Sequence, residues 1–184
     1  MFKNMKKLTR IILVLILFLS SIPCFAQRVE YDFNKDEFRY IYTTSTVVLT
    51  PNNSHFPISI SLDYYGNENV KQYYLRLYGR YELTKNTKLA LILADGSEMQ
   101  LEAYASNIYH DRLGLIKMKT IYDALYIISN KQLSNILNIK IVGVKIKTGD
   151  DWHCKTFKRN KIGEWLKLNY REINKRLNKA WNKL

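Results

Sequence analysis

Residues 89–103, LALILADGSEMQLEA, decide the fold class of this chain. An apolar run leads into Asp95-Gly96, and apolar residues then alternate with polar ones at Met99, Leu101 and Ala103. An Asp-Gly pair between two strand patterns favours a type I′ hairpin, in which both central residues need positive φ. The stretch therefore predicts two antiparallel strands joined by a type I′ turn.

Strand-type alternation also covers most of the chain on either side of this hairpin. After a polar leader that runs to about Asp36, we predict strands at residues 38–43, 58–63, 70–83, 115–122, 124–128, 139–147 and 152–157. Residues 51–54, 65–69 and 149–151 carry the turn formers that separate them. This pattern predicts a mainly β to α+β fold, an antiparallel sheet or sandwich of roughly eight to nine strands.

Two helices interrupt the strand pattern. Ser129 stands three residues before Gln132, which is the spacing of a capping box at the start of a short helix. Residues 160–184 show apolar side chains at helical spacing with many lysines and arginines between them, which predicts a long amphipathic helix. Its apolar stripe can pack on a sheet or lie on an anionic membrane, and we expect the first arrangement.

Residues 1–26 read as a cleavable signal peptide. Four basic residues precede the apolar run 11–19, which is shorter than the roughly 20 residues needed to cross a bilayer. Cys24-Phe25-Ala26 resembles an A-x-A cleavage site, so a single domain is expected over residues 27–184, in the periplasm or secreted. The alternative is a lipoprotein anchored at Cys24, although Pro23 replaces the small residue that usually precedes an acylated cysteine.

The exported domain is basic. Removing the four basic residues of the signal from 29 leaves 25, against 16 acidic residues, for a net charge of +9. Such a charge favours acidic glycans, lipopolysaccharide or an anionic membrane surface as partners, and export argues against nucleic acid. Only Cys154 remains after cleavage, which excludes a disulfide scaffold.

The order of these elements resembles that of small exported β-rich proteins of unknown function from Gram-negative bacteria. The matching pieces are the hairpin at 89–103, the helix start at 129–137 and the strand at 139–147, within a likeness that covers about residues 73–157. The resemblance implies export and a β-rich fold, and it brings no catalytic residues with it.

One predicted strand suggests a binding surface. In residues 70–83, Tyr74, Arg76, Tyr78 and Arg80 share one face, where a ladder of cation–π contacts could stack on rings and pair with anions. Further lysine pairs follow the same spacing on other strands, at Lys117, Lys119, Lys145 and Lys147. The simpler explanation is that tyrosine favours strands and that lysines protect sheet surfaces from aggregation.

Catalytic and metal signatures are weak. Cys154 is adjacent to His153, but neighbours on a strand point to opposite faces, and Cys154 shares its face with Trp152, as a buried thiol would. His110 and Asp111 are a possible base and orienting group for the Cys154 thiol, but they lie in a distant segment of the sequence. The three histidines, which include His55, match no metal-ligand spacing, and no nucleotide-binding motif is present, so we expect no metal and no cofactor.

These observations lead to three hypotheses of different classes. The first is a non-enzymatic binding or accessory module of the cell envelope that prefers anionic partners. The second is an envelope hydrolase whose catalytic residues are not recognisable, and the third is a structural or assembly protein. An enzyme should show a pocket of converging acids or histidines, whereas a binding module should expose the face that carries Tyr74 and Arg80.

Overall fold

The computed structural model describes residues 29–35, 37–51, 56–67, 69–113 and 117–181, without the side chains of 111–113, 117–119 and 179–181. The described part holds eleven strands and two helices. The strands are β1 (Val29–Lys35), β2 (Phe38–Thr43), β3 (Thr46–Leu49), β4 (Ile58–Gly66), β5 (Lys71–Gly79), β6 (Lys88–Leu93), β7 (Glu98–Glu102), β8 (Ala105–Leu113), β9 (Lys117–Ile128), β10 (Ile141–Thr148) and β11 (Asp151–Thr156). The helices are α1 (Asn130–Asn138) and α2 (Lys161–Trp181).

The strands form two antiparallel sheets. The large sheet has the order β1-β2-β4-β5-β9-β8, with β3 also paired to β4, and the small sheet has the order β11-β10-β6-β7. Leu75 and Leu77 of the large sheet share one buried core with Leu89, Leu91 and Val144 of the small sheet. Because both apolar faces enter this core, the outer faces of the two sheets form separate surfaces. The β-rich fold class is confirmed, and the described residues form eleven strands rather than the predicted eight or nine.

The hairpin at residues 89–103 forms as β6 and β7, but its turn is not type I′. Gly96 has φ +86°, while Glu37 is the one non-glycine with positive φ among the described residues, so Asp95 lacks the conformation that type I′ needs. The amide of Gly96 donates to the carbonyl of Leu93, and the Leu93 amide donates to Ser97. Asp95 instead accepts from the Ser97 amide at 3.0 Å, which stabilises a loop one residue longer.

Both helices form where the sequence predicts them. At α1, the Ser129 side chain accepts from the Gln132 amide and the Gln132 side chain accepts from the Ser129 amide, as expected for a capping box. Helix α2 buries Ile162, Leu166 and Ile173 in the core. Its apolar stripe therefore packs on the protein, and its charged face remains outside. Within the described residues no helix has the length and apolar character needed to cross a membrane.

A bulge between β2 and β3 anchors α2. Ile41 pairs with Tyr64 and Thr46 pairs with Ile60. The chain advances five residues from Ile41 to Thr46 while β4 advances four, so one extra residue bulges out between β2 and β3. The extra residue turns the Thr44 carbonyl towards the helix. That carbonyl accepts from Trp165 Nε1 at 3.0 Å and from Asn169 Nδ2 at 3.1 Å.

Several predicted boundaries are wrong. The polar leader contains β1, and the segments 46–49 and 105–113 are additional strands. Residues 117–128 form one strand, where the sequence predicts two strands at 115–122 and 124–128. The predicted strand at 70–83 ends at Gly79, and β4 continues to Gly66. The predicted signal peptide (residues 1–26) and its alternative at Cys24 lie outside the described residues.

Candidate binding face

Pairing of β4 with β5 brings opposite charges together on the outer face of the large sheet. Ser61 lies opposite Arg76 and Asp63 opposite Tyr74. Arg76 Nε donates to Asp63 Oδ2 at 2.7 Å. Asp63 is only 3% exposed and Arg76 only 8%. The outer face of the large sheet therefore contains a buried ion pair.

A bulge in β1 adds a second carboxylate to this pair. Val29 pairs with Thr43 and Tyr31 with Tyr42, so Glu30 is the extra residue. Glu30 Oε2 accepts from Arg76 Nη2 at 3.1 Å, and its side chain keeps 37% exposure. Arg76 thus links the edge strand β1 to the centre of the sheet.

Hydrogen bonds complete the shell around Asp63. Its Oδ1 accepts from the Thr43 amide at 2.9 Å and from Ser61 Oγ at 3.1 Å. Burial raises the pKa of Asp63 above its usual range, and Arg76 together with these donors opposes that shift. For Arg76, burial would lower the pKa, but the carboxylates of Asp63 and Glu30 outweigh it, so the pKa is raised and the guanidinium stays charged.

Aromatic rings surround this network. Phe33 stacks on Tyr40 at 5.0 Å between ring centroids, Phe38 stacks on Tyr65 at 4.7 Å, and Tyr31 meets Tyr42 edge-on at 6.4 Å. We call this surface the aromatic face, meaning the outer face of the large sheet with Tyr31, Phe33, Phe38, Tyr40, Tyr42, Tyr65, Tyr74, Tyr78, Tyr104 and Tyr109. Its rings shield the charged groups beneath them from water.

Two cavities open on the aromatic face. The first, the tyrosine cavity, has a volume of about 260 Å³. It is lined by Tyr42, Asp63, Tyr64, Tyr65, Tyr74, Tyr104 and Leu125. The second, the Arg80 cavity, has a volume of about 300 Å³ and is lined by Phe56, Pro57, Ser59, Tyr78, Gly79, Arg80 and Ile121. Residues of β5 line both cavities, so the two lie along one strand.

A third carboxylate, Asp123 on β9, lies beside the same network. It is buried and accepts from the Asn107 amide at 3.1 Å, from Asn107 Nδ2 at 2.9 Å and from the Tyr109 hydroxyl at 3.1 Å. Burial and the Asp123 charge raise the pKa of Tyr109 to about 12. All of these described donors are neutral groups, whereas Asp63 accepts from the charged guanidinium of Arg76.

The predicted residues Tyr74, Arg76, Tyr78 and Arg80 do share one face, but Arg76 is not open to an anionic ligand. Its Cζ lies 5.3 Å from the Tyr42 ring centroid and 5.5 Å from that of Tyr78. Arg80 is exposed and lies 5.4 Å from the Phe56 ring centroid. The cation–π contacts exist, but those of Arg76 are internal, because Asp63 and Glu30 already hold its guanidinium.

The four predicted lysines are divided between the two sheets. Lys145 and Lys147 lie in β10 of the small sheet, and Lys145 forms an ion pair with Glu98. Lys117 and Lys119 lie in β9, where they pair with Leu113 and Asp111, and their side chains are outside the described part. Tyr74 and Arg80 therefore belong to a different surface from Lys145 and Lys147.

The residues considered for thiol chemistry are not assembled into a catalytic group. Cys154 is exposed, so the prediction of a buried thiol is wrong, and Trp152 on the same face is 49% exposed. His153 points the other way, with Nε2 at 2.9 Å from Thr148 Oγ1 and 3.4 Å from the Tyr81 hydroxyl. His110 lies in the large sheet, opposite Thr120.

The three histidines are the natural candidates for metal ligands. His55 is outside the described residues. In the part of the chain that the structure describes, no three His, Cys, Asp or Glu side chains come together as a metal site.

Sequence reasoning missed Glu30, Asp63, Tyr42 and Tyr104 as members of the site. The register of the β4–β5 hairpin could have found Asp63, because residues 59, 61 and 63 must face 78, 76 and 74 once the strands turn back at 67–70. Glu30 could not be found in this way, since a bulge in a polar edge strand leaves no periodic signal.

Comparisons of the chain with protein-family models, with curated proteins and with solved structures found no match.

Proposed function

We propose that this protein is an exported, non-enzymatic binding module of the cell envelope that binds a ring-bearing polymer, such as an acidic glycan, on the aromatic face. The observation that carries the proposal is the tyrosine cavity, where four half-buried or exposed tyrosines, Tyr42, Tyr65, Tyr74 and Tyr104, surround a buried carboxylate. Tyrosine offers a ring for stacking and a hydroxyl for hydrogen bonding, with little side-chain entropy to lose.

The hydrogen bonding of the carboxylates favours binding over catalysis. Asp63 and Asp123 each accept from at least three donors and are nearly inaccessible. A glycoside hydrolase of the common type needs two carboxyl groups that can reach the substrate. Of these three acids, only Glu30 has a substantially exposed side chain.

The preference for anionic polymers is supported by two features. The net charge of +9 on residues 27–184 attracts polyanions over long range. At the face itself, Arg80 is a cation placed to contact a carboxylate or phosphate, because it is exposed and lines the Arg80 cavity. An envelope location follows from the predicted signal peptide.

Polymer binding by matched variants tests the proposal. Residues 27–184 would be titrated with alginate and lipopolysaccharide, with neutral dextran as a reference. The double variant Tyr74→Ala/Tyr104→Ala should weaken binding about tenfold or more, in line with the loss of two stacking rings. The control is Trp152→Ala, which removes an exposed ring from the small sheet and should change nothing.

Two results would overturn the proposal. One is equal loss of binding in the double variant and in Trp152→Ala, which would indicate nonspecific adhesion. The other is turnover of the polymer that depends on Glu30, which would favour the hydrolase hypothesis.

A further inference from the structure

The charged network that reaches the tyrosine cavity through Asp63 holds more carboxylates than cations among the described residues. Asp63 and Arg76 form one ion pair, which is neutral as a unit. Glu30 and Asp123 remain after that pair is counted, and the hydrogen-bond donors of Asp123 are neutral. Among the described side chains, three carboxylates and one guanidinium thus form this network, whose charge is opposite in sign to that of the protein as a whole.

The pKa of a tyrosine in the cavity wall also reflects the nearby carboxylates. Burial, Asp63 and Asp123 raise the pKa of the Tyr42 hydroxyl, and Arg76 only partly opposes them. At the same time the walls are aromatic, and the face of an aromatic ring attracts cations. Arg76 itself illustrates this preference, because its guanidinium lies between the rings of Tyr42 and Tyr78.

We propose that the tyrosine cavity binds an alkylammonium group, held by the rings of Tyr42, Tyr74 and Tyr104 above the carboxylates. The inference rests on the proposed function and names the chemical group that this site recognises on the polymer. Two sources share the chemistry: a quaternary ammonium substituent of the choline type and the protonated amine of an amino sugar.

The net positive charge of the protein and the local negative charge near the tyrosine cavity then act at different stages of binding. The net positive charge draws the protein to a polyanion over long range, while the tyrosine cavity selects a cationic substituent on it. The favoured polymer is accordingly zwitterionic, with phosphates or carboxylates along its length and ammonium groups at intervals. A cavity of about 260 Å³ is at the small end of ligand sites, which suits a single substituent rather than a whole chain segment.

A pair of ligands that differ only in charge tests this inference. Residues 27–184 would be titrated with choline and with its neutral isostere 3,3-dimethylbutan-1-ol, with tyrosine ring NMR signals as the readout. We expect choline to bind about tenfold more tightly, because both share a shape and only choline has a charge. A second pair of titrations compares glucosamine with glucose. Whether choline or glucosamine shows the larger gain in affinity over its neutral partner identifies the source of the ammonium group.

Variants at Tyr104 separate ring chemistry from folding. Tyr104 is 64% exposed, so its replacement should leave the fold intact. Tyr104→Leu should lower choline affinity about tenfold, whereas Tyr104→Phe should keep most of it, since the ring rather than the hydroxyl attracts the cation. Trp152→Leu on the small sheet is the matched control and should bind like the parent protein.

Failure of this inference is distinguishable from failure of the proposed function. If choline binds no better than its isostere and glucosamine no better than glucose, the alkylammonium site is refuted. Retained binding of alginate or lipopolysaccharide, lost in Tyr74→Ala/Tyr104→Ala, would still support the binding module. Loss of choline selectivity in Trp152→Leu would also overturn the inference, because it would place the site on the other sheet.

Discussion

The outer faces of the two sheets use alternating polar residues in opposite ways. On the small sheet, Lys88 pairs with Glu102 and both side chains are more than half exposed. On the large sheet, Arg76 and Asp63 occupy equivalent outward positions, yet both are buried beneath aromatic rings. A pattern that indicates a solvated surface on one sheet thus conceals an internal ion pair on the other.

The difference arises from the neighbours rather than from the strands themselves. The small sheet places mostly short or flexible side chains beside its charges, so water reaches them. The large sheet surrounds its ion pair with tyrosines and closes one side with Glu30 from the β1 bulge. The exposure of a strand residue therefore depends on the side chains beside it on the adjacent strands. These neighbours can be identified only when the register of the strands is known.

The ion pairs of the two faces should differ most in their effect on stability. Replacing Arg76 with Met leaves Asp63 buried without a counter-charge, which should cost about 3–5 kcal/mol of unfolding free energy. Lys145→Met removes a cation of similar length from the partly exposed pair with Glu98, and its effect should be several-fold smaller. Urea denaturation followed by circular dichroism measures both. Equal midpoints for the two variants would contradict the contrast between the faces.

Matched cysteines compare access to the two faces. Cys154 is exposed in the small sheet and is the one thiol within residues 27–184, so native alkylation by iodoacetamide should be fast. Moving the thiol to the large sheet, as Cys154→Ser with Ser61→Cys, should slow alkylation on the order of a hundredfold, because local opening must come first. Similar rates in the native state, with both thiols reacting equally in urea, would show that the aromatic face is open.

Local signals explain which parts of this fold could be predicted from the sequence. The β6–β7 hairpin and the capping box at Ser129 each depend on residues within a few positions, and both were predicted correctly apart from the turn type. Strand β1 was missed because VEYDFNK is polar, and it forms only by pairing with β2 and by contacts such as Glu30 with Arg76. The tyrosine cavity combines residues from five separate segments of the chain, so no short stretch of sequence contains it.

Alkaline pH should destabilise the protein through tyrosines of the large sheet. Burial raises the pKa of Tyr73 from the ordinary 10.0 to about 12. Burial and the charge of Asp123 together raise the pKa of Tyr109 to about 12 as well. The folded state binds these protons more tightly, so unfolding free energy is unaffected below about pH 10 and falls as pH rises towards 12. The small-sheet strands contain no tyrosine.

A titration followed by absorbance at 295 nm measures this effect together with urea midpoints at each pH. Tyr109→Phe should remove one late-titrating group and flatten the decline. A single tyrosine transition near the ordinary value in the native protein would contradict the burial of these hydroxyls.

Arg80 should show the smallest effect on stability and a specific effect on binding. Its guanidinium is exposed and its described contact is the Phe56 ring, so Arg80→Ser should leave the melting temperature nearly unchanged. If Arg80 contacts the anionic groups of a polymer, the variant should weaken alginate binding several-fold at low salt, and the difference should shrink as salt screens the charge. Lys147→Ser removes a cation from the small sheet and serves as the control for net charge, so it should have little effect.

An equal loss in both variants would mean that net charge alone drives association and that the aromatic face has no privileged cation. A loss confined to Arg80→Ser would instead place the polymer along β5, where Arg80 and Tyr74 are separated by about 20 Å at two residues per 6.6 Å.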